Sequence, residues 1–138
     1  MMRYAHAVYC DDIRQEVGNK TSLIGLYSGQ LSTSEFPCAL PKLCIVISVS
    51  TPKDEMFGSL SLEGTYSDVE IFRMEMDKEQ IQAVIDQTPK LQEEGKFFMV
   101  QLMAILSPLQ LEKPGKLKLN LLVDGEKLHC AGLEVIKG

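Results

Sequence analysis

At 138 residues, 45% hydrophobic and 24% charged, with a net charge of −5, the chain has the make-up of one globular domain, residues 1–138, able to bury about two-thirds of the surface its unfolded form exposes. Its 14 Lys and Arg residues form no stripe, which argues against nucleic acid as a partner. No run approaches ~18 apolar residues and "MMRYAHAVYCDD" has no apolar stretch of signal-peptide length, so the expected location is cytoplasmic, with no membrane contact and with Cys10, Cys38, Cys44 and Cys130 as free thiols.

Most of the chain reads as short β runs between turn signals. "RYAHAVYC" is the first, and "VGNK" is a turn because Gly and Asn both tolerate positive φ. "TSLIGLYSGQL" is the second run, with Leu23, Tyr27 and Leu31 on one parity and Gly25 and Gly29 marking a bulge or a close backbone approach. Pro37 and Pro41 punctuate the connection to "LCIVISVS". There Leu43, Ile45, Ile47 and Val49 form one face, and Cys44 and Val46 make the other partly apolar. After the loop "TPKDEMFG" come "SLSLEG" and "DVEIFRMEM".

The period then changes. Ile81, Val84 and Ile85 recur at helical spacing, Asp77 with Gln80 has the spacing of a capping box, and Thr88-Pro89 is a stop. One short helix is therefore expected over about residues 77–88. "KFFMVQLMAILSP" is apolar on both parities, as in a central strand covered on two faces or a strand whose outer face meets a partner. In the last third Leu117, Leu119, Leu121 and Val123 alternate strictly, and Asp124-Gly125 signals a type I′ hairpin. That register sets Val123 opposite Glu126 and Leu121 opposite Leu128, turns Cys130 inward and His129 outward, and needs a bulge near Ala131-Gly132 to bring Leu133 and Val135 back to the core.

Seven or eight short strands and one helix predict a mainly β fold, an antiparallel β-sandwich, with a small closed barrel as the alternative. "LEKPGKLKLNLLVDGEKLHCAGLEV" resembles the closing strands of many bacterial immunoglobulin-like sandwiches, a likeness of fold that implies no activity. "YCDDIRQEVGNKTSLIGLYSG", followed by "LPKLCIVISVSTP", resembles an uncharacterised family of small bacterial and phage-encoded proteins known only as a domain of unknown function. The likeness covers most of the chain and is sharpest over Cys10–Gly29. It implies no catalytic residue, ligand or partner.

Chemistry is sparse. Asp11, Asp12 and Glu16 are oxygen donors suited to a divalent ion, and a metal-dependent enzyme built on residues 11–16 is one alternative function. Neighbouring carboxylates on a strand point to opposite faces, however, so a solvated charged strand edge is the simpler expectation, and no metal is expected. Cys38, Cys44, His129 and Cys130 could serve zinc only by converging, which the hairpin register opposes. Neither a nucleophile elbow nor a phosphate-binding loop occurs, so no enzyme and no cofactor is expected. A small-ligand sandwich, with a pocket lined by "TPKDEMFG" and "PKLQEEGK", is a second alternative.

The leading expectation is a non-catalytic binding or assembly module that recognises a protein partner or itself as a homodimer. Phe97, Met99, Met103 and Ile105 are the candidate contact residues, because aromatic and Met side chains suit adaptable interfaces. Phe72, Met74 and Met76 extend this set. The competing reading buries the whole set as ordinary core beneath the helix.

Overall fold

Alternating apolar residues fold as twelve strands and one helix in a computed structural model, which describes residues 2–87 and 96–138. In chain order these are β1 (Tyr4–Glu16), β2 (Lys20–Leu26), β3 (Gln30–Thr33), β4 (Cys38–Leu40), β5 (Leu43–Pro52), β6 (Leu60–Tyr66) and β7 (Val69–Met76). The helix α1 (Lys78–Asp86) follows, then β8 (Phe97–Leu106), β9 (Leu109–Leu111), β10 (Gly115–Val123), β11 (Glu126–Leu128) and β12 (Leu133–Lys137). A four-stranded sheet has the order β2-β1-β5-β8. The larger sheet runs β3-β12-β10-β6-β7, with β11 beside β10, and β4 pairs with β9 alone.

The fold is mainly β, but with more strands than the seven or eight expected. The additional strands are short: β3 has four residues, and β4, β9 and β11 have three each. The run "TSLIGLYSGQL" is also two strands in two sheets. Gly25 and Gly29 have φ of +71° and +93°, and the chain leaves β2 for β3 between them. Nor is the architecture wholly antiparallel, because β3 and β12 run parallel, from Glu134 beside Gln30 to Lys137 beside Thr33.

Both main sheets feed one core. From the smaller come Tyr9, Leu43, Ile45, Ile47, Val49, Phe98, Val100 and Leu102; from the larger come Leu31, Leu62, Leu117, Leu121, Val123, Leu133 and Val135. Fully burying a Leu or Ile side chain is worth about 2 kcal/mol, so this alternation is what holds the sheets together.

The local signals behave as their chemistry requires. Asp77 caps α1 by accepting from the Gln80 N–H at 2.9 Å, and the Gln80 amide accepts from the Asp77 N–H at 2.9 Å. Thr88-Pro89, the expected stop, lies outside the described residues. Asp124 and Gly125 have φ of +51° and +81°, Val123 is opposite Glu126, and Leu121 is opposite Leu128. Cys130 is buried and His129 exposed. The register then shifts by one residue: β12 rejoins β10 with Leu133 opposite Leu117, which restores Leu133 and Val135 to the core.

Candidate functional site

Residues directly opposite one another in antiparallel strands share a face. Across β1, β5 and β8 the register therefore builds rows of known orientation. Tyr9 and Ile45 align with Ala104, and Ala7 and Ile47 with Leu102; both rows face the core. The alternate rows form the outer face of the sheet: Tyr4–Ser50–Met99, His6–Ser48–Gln101, Val8–Val46–Met103 and Cys10–Cys44–Ile105, with Leu26 beside Cys10 and Phe97 opposite Pro52.

All four sequence-derived contact residues lie on this outer face. Phe97, Met99 and Ile105 are 43%, 42% and 55% exposed, and Met103 is half-buried. The rings of Phe97 and Tyr4 meet with centroids 5.9 Å apart. Phe72, Met74 and Met76 do not join them. These three lie on β7 in the other sheet and pack against the core, where α1 sends Ile81. The helix lies along β7, so the outer face of β8 is not core beneath it.

Sequence reasoning missed the part of this face outside β8. Tyr4 and Val8 come from β1, Leu26 comes from β2, and Val46 is buried at the centre. The available signal was the second apolar parity of "LCIVISVS". β5 is buried along its whole length because β1 and β8 flank it.

No charged residue occurs in these rows. The outer face of the larger sheet is the opposite. Arg73 bonds Glu63 at 2.7 Å, Glu70 at 2.8 Å and Glu75 at 3.4 Å, and the Asn120 amide donates to Glu63 at 2.9 Å. Lys116 opposes Glu134. That face is solvated by charge, whereas on the smaller sheet the charged residues of the outer parity, Asp12, Arg14, Glu16 and Lys20, gather at the β1–β2 hairpin end and leave the rows above uncharged.

The acidic opening lies within β1, which continues to Glu16 rather than stopping at Cys10. Its carboxylates are committed to different partners. Asp11 accepts from the Tyr27 hydroxyl. It packs against Gly25, where any β-carbon would collide with the carboxylate. Asp12 pairs with Lys42 at 2.7 Å and accepts from the Ile13 N–H at 2.9 Å. The Lys42 bond, then the Ile13 N–H, hold the Asp12 carboxyl below its usual range. Glu16 is 3.9 Å from Arg14 and opposite Lys20 across the hairpin.

Among the described residues no three His, Cys, Asp or Glu side chains gather where an ion could be held. Cys10 and Cys44 are directly opposite and buried, and burial first of all raises both thiols above their usual range. Cys38 is on β4 and Cys130 is in the core, so the four zinc candidates do not converge. Of the loops expected to line a ligand pocket, residues 89–95 lie outside the described residues. A groove of about 550 Å³ lies elsewhere, between β6, the end of β7 and the start of α1, with Ser61, Glu75, Asp77 and Gln80 in its wall.

No helix among the described residues is long and apolar enough to cross a membrane. No curated protein and no solved structure matches the chain. Residues 5–136 match the family described as "Family of unknown function (DUF6941)", and the protein therefore belongs to that family.

Proposed function

We propose that this chain is a non-catalytic binding or assembly module whose working surface is the outer face of the β2-β1-β5-β8 sheet, and that it recognises a protein partner or a second copy of itself. One observation carries the reading: two outer sheet faces of one chain differ in kind. The larger sheet bears the Glu63–Arg73–Glu70–Glu75 network across its face, whereas on the smaller sheet the rows holding Leu26, Val8, Val46, Met99, Met103 and Ile105 carry no charge and the charged residues Asp12, Arg14, Glu16 and Lys20 lie at the β1–β2 hairpin end. Depletion of charge with enrichment in Met and aromatic residues is the composition of an interface centre. Phe97, Met99, Met103 and Ile105 are the contacts on β8.

In this reading the two main sheets form an immunoglobulin-like sandwich. The shared core and the closing β10–β11 hairpin support that arrangement. Free cysteines suit a reducing cytoplasm. A divalent-metal enzyme is the weaker reading, because Asp11 and Asp12 are engaged by Tyr27 and Lys42.

A photo-crosslinking residue at Leu26, compared with one at Lys118 on the charged face, tests the proposal in cells. Discrete protein adducts from position 26 and none from 118 are expected. Equal labelling from both positions, or none from either, overturns it.

A further inference from the structure

The four-stranded sheet ends in two edges, and they differ. β2 offers Lys20, Thr21 and Ser22, and the larger sheet ends in β7, with Glu70, Arg73 and Glu75, and in the four-residue β3. Short length and charge are the usual defences of a free edge against pairing with another chain. β8 has neither. It is ten residues long, carries no Lys, Arg, Asp, Glu or Pro, and pairs only with β5 among the described residues.

The outer-face parity of its sequence is also symmetric in character, although Phe98 and Ala104 on the core-facing parity are not matched. Gln101 is the one polar residue of FFMVQLMAIL. Met99 and Met103 flank it at two residues and Phe97 and Ile105 at four, all on the outer face; Val100 and Leu102 flank it on the core-facing parity. No side-chain hydrogen bond engages its amide among the described residues. A strand whose outer face is palindromic in character fits one partner best, the same strand run backwards.

We propose that β8 pairs antiparallel with β8 of a second copy, about a two-fold axis through Gln101. The inference rests on the reading of this sheet as a binding surface and names its occupant. Gln101 then faces Gln101, Met99 faces Met103, Phe97 faces Ile105 and Val100 faces Leu102. Each glutamine amide both donates and accepts, so the two copies satisfy one another. The nearest registers that keep the faces matched set Gln101 against Met99 or Met103, which pins the alignment.

Charge permits the contact. Each chain carries −5, yet β8 itself carries no charge, so the copies meet without like-charge opposition. Nine opposed residues span about 30 Å, and an edge about 10 Å thick gives roughly 300 Å² per copy. That is about half the roughly 1,200 Å² total of the smallest stable interfaces, so the dimer is weak and concentration-dependent.

Cysteine scanning in a Cys38→Ser background tests the register. Directly opposed Cα atoms about 4.5–5.5 Å apart lie within disulfide range. Gln101→Cys is expected to oxidise to a dimer. Met99→Cys and Met103→Cys, each about 13 Å from its own copy, stay monomeric alone and cross-link when mixed. In the wild type, amide exchange along β8 should slow as concentration rises.

If the wild type sediments as a dimer and position 26 still cross-links, but Gln101→Cys stays reduced, the β8 pairing is overturned and the binding face stands. A wild type that is monomeric, with exchange along β8 independent of concentration, overturns the pairing whatever position 26 shows. Amides in β8 protected at every dilution mean that the chain covers its own edge, and also overturn it.

Discussion

The Arg3 guanidinium lies 3.1 Å from the Asp124 carboxylate and ties the start of the chain to the tip of the β10–β11 hairpin. The other Asp124 oxygen accepts from the backbone N–H groups of Gly58 and Ser59 at 2.8 and 2.9 Å. One side chain thus joins three segments distant in sequence, from a backbone position at φ +51° that Asp and Asn tolerate better than most residues.

Asp124→Ala should therefore destabilise by about 1.5 kcal/mol at neutral pH, the low end for hydrogen bonds to a charged group, because the carboxylate is partly exposed. Asp124→Asn keeps an acceptor and the turn preference and should cost less. Burial raises the Asp124 carboxyl, but the Gly58 and Ser59 N–H groups and Arg3 outweigh it and leave it below the usual 3.8. A depressed carboxyl stabilises above its unfolded value and loses that contribution as pH falls through its folded value. Urea unfolding at pH 7 and pH 3 should show the gap between wild type and Asp124→Ala narrowing in acid.

The Tyr27–Asp11 contact has the opposite sign. Burial first, and then the bond to Asp11, push the Tyr27 hydroxyl up to about 12. A raised phenol contributes its stability below the unfolded value near 10 and loses it as pH rises through about 12. Ultraviolet titration of wild type against Tyr27→Phe should assign a late-ionising tyrosine to this position. Asp11→Asn should bring that ionisation earlier while leaving the largest part, which is due to burial.

Features carried by a few adjacent residues are legible in the sequence alone. The Asp77–Gln80 box, the Asp124-Gly125 turn and the alternation of Leu117–Val123 each fix backbone geometry within one or two turns of chain. The turn at Ser67-Asp68 is not, because neither residue is glycine although both have positive φ, at +50° and +67°. Strand identity is equally hidden where sheets are exchanged. Leu23 and Leu31 read as one strand, yet they belong to different sheets. Of the candidate site, the β8 residues are visible because a doubly apolar run needs two covers. Their neighbours Tyr4, Val8 and Leu26 depend on a pairing between segments ~20–100 residues apart, which no local pattern encodes.

Lys53 offers a stabilising substitution. Its ammonium is shut off from solvent and meets no hydrogen-bond partner among the described residues, while its backbone N–H bonds the Lys96 carbonyl at 3.0 Å. An unsatisfied buried polar group costs about 1–3 kcal/mol. Lys53→Met keeps the packed stem and the backbone bond and removes the stranded donor. A gain of about 1 kcal/mol in unfolding free energy is expected. A loss of that size would mean that the ammonium has an acceptor in solution.

The thiols should separate cleanly by reactivity. Cys10, Cys44 and Cys130 are buried, and burial raises all three above the usual thiol range. At Cys10 the nearby Cys44 and the carboxylates of Asp11 and Asp12 add to the rise against the bond to the Asp12 carbonyl; at Cys44 the nearby Lys42 and the contact with Cys10 oppose it, while Asp12 and Asp11 add to it. The thiolate is the reactive form, so shielding and proton retention act in the same direction. Cys38 lies on a three-residue strand and is half-exposed. Under native conditions a disulfide reagent should modify Cys38 alone, and Cys38→Ser should abolish the fast phase. The other three should react only as urea unfolds the protein. Fast modification of Cys10 or Cys44 in the folded chain would show that the outer face of β1 and β5 opens to solvent, and would contradict the burial of both thiols in the Cys10–Cys44–Ile105 row.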